Sequence, residues 1–160
     1  MYLYTAEKLK ELGYNVIALD FINFLKSNYY NYLDLVINAV ENDDIPLAEN
    51  LVNDIVNVLV EKNDKTEPIW VNGEMSVIKT AIMAVVLENK GRREYQTLTN
   101  AYYFVAEMFK TADDGEMLID KYMKNKSADD PIKKFFAVAS TAPSKTRGSF
   151  VAAALSTLQM

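Results

Sequence analysis

Residues 68–89 read PIWVNGEMSVIKTAIMAVVLEN and contain the lone tryptophan, Trp70. Apolar residues recur there every three or four positions, which predicts one long amphipathic helix. The residues on its apolar face are Val71, Met75, Ile78, Ile82 and Val85. We expect the Trp70 indole to pack the helix start onto the core, because apolar residues that flank helix starts commonly do so. An indole that anchors a partner is the less favoured interpretation.

The same helical periodicity continues on both sides of this stretch. Upstream, two helices are predicted with these inward residues: Tyr29, Leu33, Val36, Ile37 and Val40, then, after Pro46, Leu47, Leu51, Ile55, Val58 and Leu59. Downstream, a helix capped near Thr97, segments at 114–124 and 131–140, and a last helix from Ser144 or Thr146 have these inward residues: Leu98, Ala101, Tyr102, Val105, Met108, Phe109, Ile132, Phe135, Phe136, Phe150, Val151, Ala154, Leu155 and Leu158. The predicted fold class is therefore all-α, a multi-helix bundle of about seven helices over residues 28–160.

The first 27 residues follow a different pattern. Residues 3–12 predict a short helix that stops at Gly13, and residues 14–22 contain the β-rich run from Val16 to Leu19. One strand cannot satisfy its own backbone donors and acceptors. We therefore expect it either to pair with something outside this sequence or not to form a strand in this chain. The isolated chain is expected to be a monomer or a weak dimer formed through this segment.

Composition excludes much common chemistry. The 160 residues include no Cys and no His, and no glycine-rich phosphate loop is present. These absences remove Cys/His zinc sites, Ser-His and Cys-His nucleophiles, and nucleotide hydrolysis by the chain alone. We expect no enzyme activity, catalytic residue, metal or cofactor. No apolar run approaches the roughly 20 residues of a membrane helix, so we expect the chain to be soluble and to make no membrane contact.

Charge is distributed unevenly along the chain. Net charge is −5 overall, yet residues 131–160 contain Lys133, Lys134, Lys145 and Arg147 and no Asp or Glu. Bulk electrostatics repels nucleic acid from most of such a surface, so a phosphate contact has to be local. These four cations are candidate DNA or partner contacts.

The stretch APSKTRGSF, residues 142–150, is the sharpest candidate site. Hydroxyls and cations at a helix start form an anion site, with Lys145, Thr146, Arg147 and Ser149 as candidate contacts. Ser144 and Thr146 are also candidate caps of the last helix. An equally weighted alternative is a structural turn in which Arg147 pairs with an internal acid.

A second basic cluster, Lys90, Arg92 and Arg93, falls in the sequence ENKGRREYQ between two long helices. Binding residues often lie in such loops, although a solvated connector is the more common case. Tyrosines near positions 29–32 and 102–103 could stack bases, but cations are missing beside residues 28–37, so packing is favoured.

Acidic pairs precede several predicted helices, at Asp43-Asp44, 113–114 and 129–130. Capping of the helix N-terminus is the favoured interpretation over metal binding. Residues 41–67 carry a net charge of −6. An alternative partner is therefore a basic protein attracted to Asp43, Asp44 and Glu49.

Five stretches in order carry a family resemblance: GYNVIALDF, YNYL, PIWVNGEMSVIKTAIMAVVLEN, YQTLTNAYYFVAEMF and DDPIKKFFAVASTAPSKTRGSFVAAALSTL. Together they cover nearly the whole chain. The chain resembles the coupling-protein ATPases of type IV secretion and conjugation, the TraG/VirD family, especially its Gram-positive members. The KTRGS turn at 145–149 matches the family's K-T-R-small-S turn, whose contacts the resemblance does not define.

The resemblance implies a specific organisation. Residues 1–27 would be a leader helix and a strand of the nucleotide-binding, RecA-like motor domain, and residues 28–160 an inserted all-α domain. The family's Walker motifs and membrane anchor are missing, so we expect an excised piece of a hexameric, membrane-anchored, DNA-translocating ATPase. The insert would lie in the cytoplasm and bind single- or double-stranded DNA, the relaxase or accessory relaxosome proteins. The alternative is a structural insert that mediates hexamer or accessory-protein contacts without binding DNA.

Overall fold

In a computed structural model of the chain, residues 2–17, 30–61 and 67–159 are described. The chain divides into two compact units, residues 1–31 and 32–160. The first contains α1 (Tyr2–Glu11), which is followed by Gly13 at a φ of +85°, a left-handed conformation that glycine adopts without strain. The predicted domain boundary after residue 27 lies outside the described residues and stays a prediction.

The second unit is built of helices. They are α2 (Asp34–Glu41), α3 (Ile45–Leu59), α4 (Pro68–Glu88), α5 (Leu98–Met108), α6 (Leu118–Lys124), α7 (Pro131–Thr141) and α8 (Ser144–Leu158), with a 3₁₀ turn at Arg93–Tyr95. In the described part of the chain no strand is present, so the all-α class is confirmed. Residues 14–17, where the predicted strand begins, have no strand structure, and residues 18–22 lie outside the described residues. The leftover strand and its RecA-like origin stay predictions.

Helix α4 forms the centre of the second unit. It contacts α2, α3, α5, α7 and α8, with α7 as its most extensive neighbour. Its sides are buried almost all round between Gly73 and Val86, as expected of a helix surrounded by others. Ser76 ties it to α7, because its hydroxyl donates to the Phe135 carbonyl at 2.5 Å and accepts from the Ala139 N–H at 3.2 Å.

The predicted helix starts are largely confirmed by local chemistry. The Asp44 carboxylate accepts from the Leu47 N–H at 3.1 Å, and Asp130 does the same for Ile132 at 2.8 Å. The Thr97 hydroxyl accepts from the Asn100 N–H to cap α5. Each satisfies a backbone donor that the first helical turn leaves unpaired.

Most predicted inward residues are buried or half-buried, but the prediction for α3 is wrong at two of its five positions. Its buried residues are Ala48, Val52 and Val56, whereas Leu47 is 46% exposed and Val58 is 85% exposed. Small and β-branched residues at the contact let helices approach closely. The two stripes differ by one residue in register, and the smaller side chains occupy the contact. On α2, Tyr29 of the predicted stripe lies outside the described residues.

Gly73 has a packing reason that the sequence did not reveal. The ring of buried Phe150 on α8 lies so close that a Cβ at position 73 would be only 2.4–2.5 Å from three carbons of that ring. Trp70 packs edge-on against the same ring, with centroids 5.8 Å apart, but stays 41% exposed. The expected packing of the indole on the core is therefore partial.

By length and composition α4 could cross a membrane. The statement that no run reaches this size is therefore wrong for residues 68–88. However, 67% of its most apolar window is buried by the other helices, as in the core helix of many globular proteins.

Candidate functional site

Arg147 is the best-defined of the predicted site residues. It is 9% exposed, and its Nη1 lies 2.8 Å from both carboxylate oxygens of Asp120 on α6. Its Nη2 donates to the Ser140 carbonyl at 3.1 Å, and the guanidinium lies 5.6 Å from the Phe136 ring centroid. Arg147 therefore joins α6, α7 and α8 as an internal ion pair, which is the structural alternative, and not a cation displayed at a helix start.

The rest of the KTRGS turn forms the first turns of α8. The helix begins at Ser144 after Pro143 and has no side-chain cap, so the predicted hydroxyl caps are wrong. Lys145 and Ser149 are exposed and Thr146 is half-buried. Lys145 is the one cation left outward at this helix start, and among the described residues it has no ion-pair partner. The predicted anion site is reduced to this single charge.

The basic loop between α4 and α5 is attached to α2. The Lys90 ammonium lies 2.5 Å from Asp43, and the Arg93 guanidinium contacts both Glu41 oxygens, at 3.2 and 2.8 Å. The hydrogen bond from Arg93 holds the pKa of Glu41 below its usual value. Arg92 instead donates to the Glu88 carbonyl at 3.1 Å and lies over the ring of Tyr95, so it keeps its charge available.

Lys133 and Lys134 line an open groove of about 600 Å³ between α6 and α7. The floor is mostly apolar and the rim is cationic; the lining residues are Asp120, Met123, Lys124, Ala128, Lys133, Lys134, Phe136, Ala137 and Ser140. Lys134 pairs with Glu49 of α3, and Lys133 donates to the Lys126 carbonyl at 2.9 Å. Two of the predicted site residues, Lys133 and Lys134, therefore line a groove between α6 and α7, and Arg147 contacts both of these helices.

Lys124, a third lysine of this groove, was missed by sequence reasoning. It lies 2.5 Å from Glu116, whose hydrogen bond raises the lysine pKa. Its position in the last turn of α6, where the helix dipole favours cations, was the available signal. Exposed pairs of this kind contribute little to stability, so a ligand carboxylate or phosphate can replace the internal acid at low cost.

The two rival predicted surfaces turn out to contact each other. Asp43 pairs with Lys90, Glu49 pairs with Lys134, and Asp44 caps α3. Two of the three predicted acidic residues therefore form ion pairs with two of the predicted cations. Three exposed tyrosines, Tyr30, Tyr32 and Tyr103, correct the expectation that the tyrosines are packed.

At the other end of the second unit, Tyr32 and Leu158 line one cavity of about 280 Å³ together with Leu59, Leu98, Thr99 and Thr157. The Thr157 hydroxyl donates to Glu74 at 2.6 Å, which fixes the end of α8 to α4. The beginning and the end of the unit are thus neighbours. Over the described residues, no group of three acidic side chains is placed to hold a metal ion.

Comparison with models of known protein families identifies the family of this chain. Over residues 1–160 the sequence matches the model of the family described as Type IV secretory system Conjugative DNA transfer. The chain belongs to this family. The predicted resemblance to conjugative coupling proteins is therefore confirmed, and the chain is a type IV secretion protein of conjugative DNA transfer, from a membrane-associated system. No curated protein and no solved structure matches the chain.

Proposed function

We propose that residues 32–160 are the substrate-recognition domain of a conjugative coupling protein and that they bind the substrate mainly through protein contacts. The observation that carries this proposal is the internal pairing of cations. Lys90, Arg93, Lys134 and Arg147 each contact a carboxylate of the same chain. A nucleic acid is bound by cations that displace its counterions, and few uncommitted cations remain among the residues of this unit that the structure describes. The expected partner is a relaxase or an accessory relaxosome protein.

The ends of the helical unit support an insert in a larger protein. Tyr32 and Leu158 line the same cavity, and inserted domains require that their first and last residues lie close together. We infer that the parent is a hexameric, membrane-anchored ATPase that translocates DNA, with this unit in the cytoplasm. The chain itself is proposed to be a binding module without enzyme activity or cofactor.

Binding measurements with the 160-residue chain test the proposal. The ligands are the purified relaxase and accessory proteins of the same mobile element, and labelled duplex and single-stranded DNA at two salt concentrations. We expect a protein partner to bind and naked DNA to bind weakly. Tight DNA binding that falls steeply with salt, without binding to any of these proteins, contradicts the proposal. If neither DNA nor protein binds and the full-length hexamer assembles poorly after mutation of the unit, the structural-insert function replaces it.

Direct DNA contact is the second candidate, favoured by the α6–α7 groove. Lys124, Lys133 and Lys134 converge there, and their internal contacts are weak enough to be exchanged for phosphates. Replacing all three lysines with Gln should lower the slope of log affinity against log salt by about 2–3. The matched control is Lys110→Gln, which removes an exposed lysine that pairs only with Glu107 in the described residues. An unchanged slope in the triple variant removes this candidate.

A further inference from the structure

The exposed flank of α3 has the spacing of a helix-docking seam. Leu47, Leu51, Asp54 and Val58 follow one another at intervals of four, three and four residues, which is the heptad spacing of a surface that packs against another helix. Val58 is 85% exposed, Leu47 is 46% exposed, and Leu51 is half-buried. The fully buried residues of α3 are on the neighbouring stripe, and Leu51 also packs partly against the core, so Leu47, Asp54 and Val58 are the seam residues most exposed to a partner.

On α2, the other helix of the same hairpin, Leu35 is also exposed, at 65%. Single exposed apolar residues are ordinary, but a row of them at helical spacing marks an interaction surface. Amphipathic helices are recognised by such rows through anchors at i, i+3, i+4 and i+7. The shape of the surface therefore fits a helix.

Charge defines which helix fits. Residues 30–61 contain seven Asp and Glu and no Lys or Arg. Four of these acids pair with cations from elsewhere in the chain; they are Asp34, Glu41, Asp43 and Glu49. Asp54 is exposed at the centre of the seam and has no ion-pair partner in the described part of the chain. A charged residue at a core position of a helix pair sets register and partner, and it requires the opposite charge across from it.

We infer that the seam formed by Leu47, Leu51, Asp54 and Val58 docks an amphipathic helix of a protein partner, and that this helix carries a Lys or Arg within its apolar stripe opposite Asp54. The inference rests on the proposed function and specifies the partner's chemistry. A second copy of this chain is disfavoured, because its own seam is acidic. Nucleic acid is disfavoured because the hairpin lacks cations.

The inference is tested with two synthetic helices of about three heptads, which have Leu at the a and d positions and differ only in a central Lys or Glu. Fluorescence anisotropy against the full chain is measured below the concentration at which each peptide associates with itself. The Lys peptide should bind about tenfold more tightly than the Glu peptide. Val58→Ser should weaken the Lys peptide about tenfold, whereas Val138→Ser, the same change at a 48% exposed residue of α7, should leave its binding unchanged.

Charge reversal gives the sharpest outcome. The Asp54→Lys variant should prefer the Glu peptide, and its circular dichroism should match the wild type because Asp54 is exposed. Equal binding of both peptides, or unchanged binding after Val58→Ser, overturns the inference. A concentration-dependent dimer that Val58→Ser abolishes also overturns it, because the seam is then occupied by a second copy.

Failure of this inference is distinguishable from failure of the proposed function. If the purified relaxosome proteins bind the wild type and the Val58→Ser variant equally, the seam is wrong and the function stands. If they bind neither form while the Lys peptide discriminates as expected, the seam is a helix-docking surface and the proposed substrate is wrong.

Discussion

Replacing either partner of the Arg147–Asp120 ion pair should destabilise the helical unit, and by different amounts. The side chain of Arg147 is 11% exposed and that of Asp120 is 30% exposed. Breaking a buried pair costs about 3–5 kcal/mol because one charge stays buried and unpaired. In Arg147→Met the remaining Asp120 can be rehydrated, so we expect about 2–3 kcal/mol. In Asp120→Asn the more buried guanidinium is left behind, so we expect about 3–4 kcal/mol.

A double-mutant cycle measures the coupling. The double variant Arg147→Met/Asp120→Asn should cost about 2 kcal/mol less than the sum of the single variants, because neither charge is then left alone. Urea unfolding can be followed by the fluorescence of Trp70, the lone tryptophan, which packs against Phe150 and so reports on the helical unit. Costs that add within about 0.5 kcal/mol, or an Arg147→Met variant of wild-type stability with weaker DNA binding, refute the internal role of Arg147.

Two further predictions concern packing and pH. Gly73→Ala should destabilise the fold by about 1–3 kcal/mol in urea unfolding, because the added Cβ overlaps the Phe150 ring. The control Gly148→Ala, whose Cβ meets open space in α8, should stabilise the fold by up to about 1 kcal/mol. Equal effects of the two variants contradict the packing argument. The hydrogen bond from Lys126 lowers the pKa of Glu88 in the folded protein. This pair therefore stabilises the fold fully at pH values above the ordinary carboxyl pKa of about 4.3, and the stabilisation is lost as the pH falls through the lower pKa of the folded state. Glu88 is half-exposed, so wild type should exceed Glu88→Gln by only a few tenths to about 1 kcal/mol at neutral pH, and a gap that persists at acid pH contradicts the assignment.

Local signals predicted the helices well, because capping and proline effects act within a few residues. Asp44, Thr97 and Asp130 each accept a backbone N–H two or three positions along the chain. Such pairs are visible in the sequence without knowledge of the fold. The predicted starts of α3, α5 and α7 therefore agree with the structure, whereas α6 begins at Leu118, later than predicted, and α8 lacks its hydroxyl cap.

The partners of the cations could not be predicted in the same way. The paired residues are far apart in the sequence. Arg147 and Asp120 are separated by 27 residues, Lys90 and Asp43 by 47, and Lys134 and Glu49 by 85. Which acid meets which cation depends on how the helices pack. The sequence showed a basic island and an acidic stretch, but their mutual pairing is a property of the tertiary structure.

The two wrong assignments on α3, at Leu47 and Val58, also depend on how the helices pack. This dependence explains why the seam was missed. Leu47 and Val58 attract an inward assignment because they are large and apolar, yet Ala48 and Val56 occupy the contact. A helix with two apolar stripes buries the one that lets its neighbours approach most closely, and size alone favours the other. An apolar residue on the other stripe contributes little to the stability of the fold, so Val58 is available for contact with a partner.

The arrangement of charge around this seam bears on how the unit could respond to a partner. Lys134 of the groove pairs with Glu49 of α3, so the groove and the acidic hairpin share an ion pair. Glu49 lies two residues from both Leu47 and Leu51, so it is on the opposite side of α3 from the seam, and only 18% of its side chain is exposed. A basic helix docked on the seam therefore leaves this pair intact and the positive potential of the groove unchanged. We expect any DNA affinity of the unit to be the same with and without saturating Lys peptide, and an affinity that changes on peptide binding would show that the two surfaces are coupled.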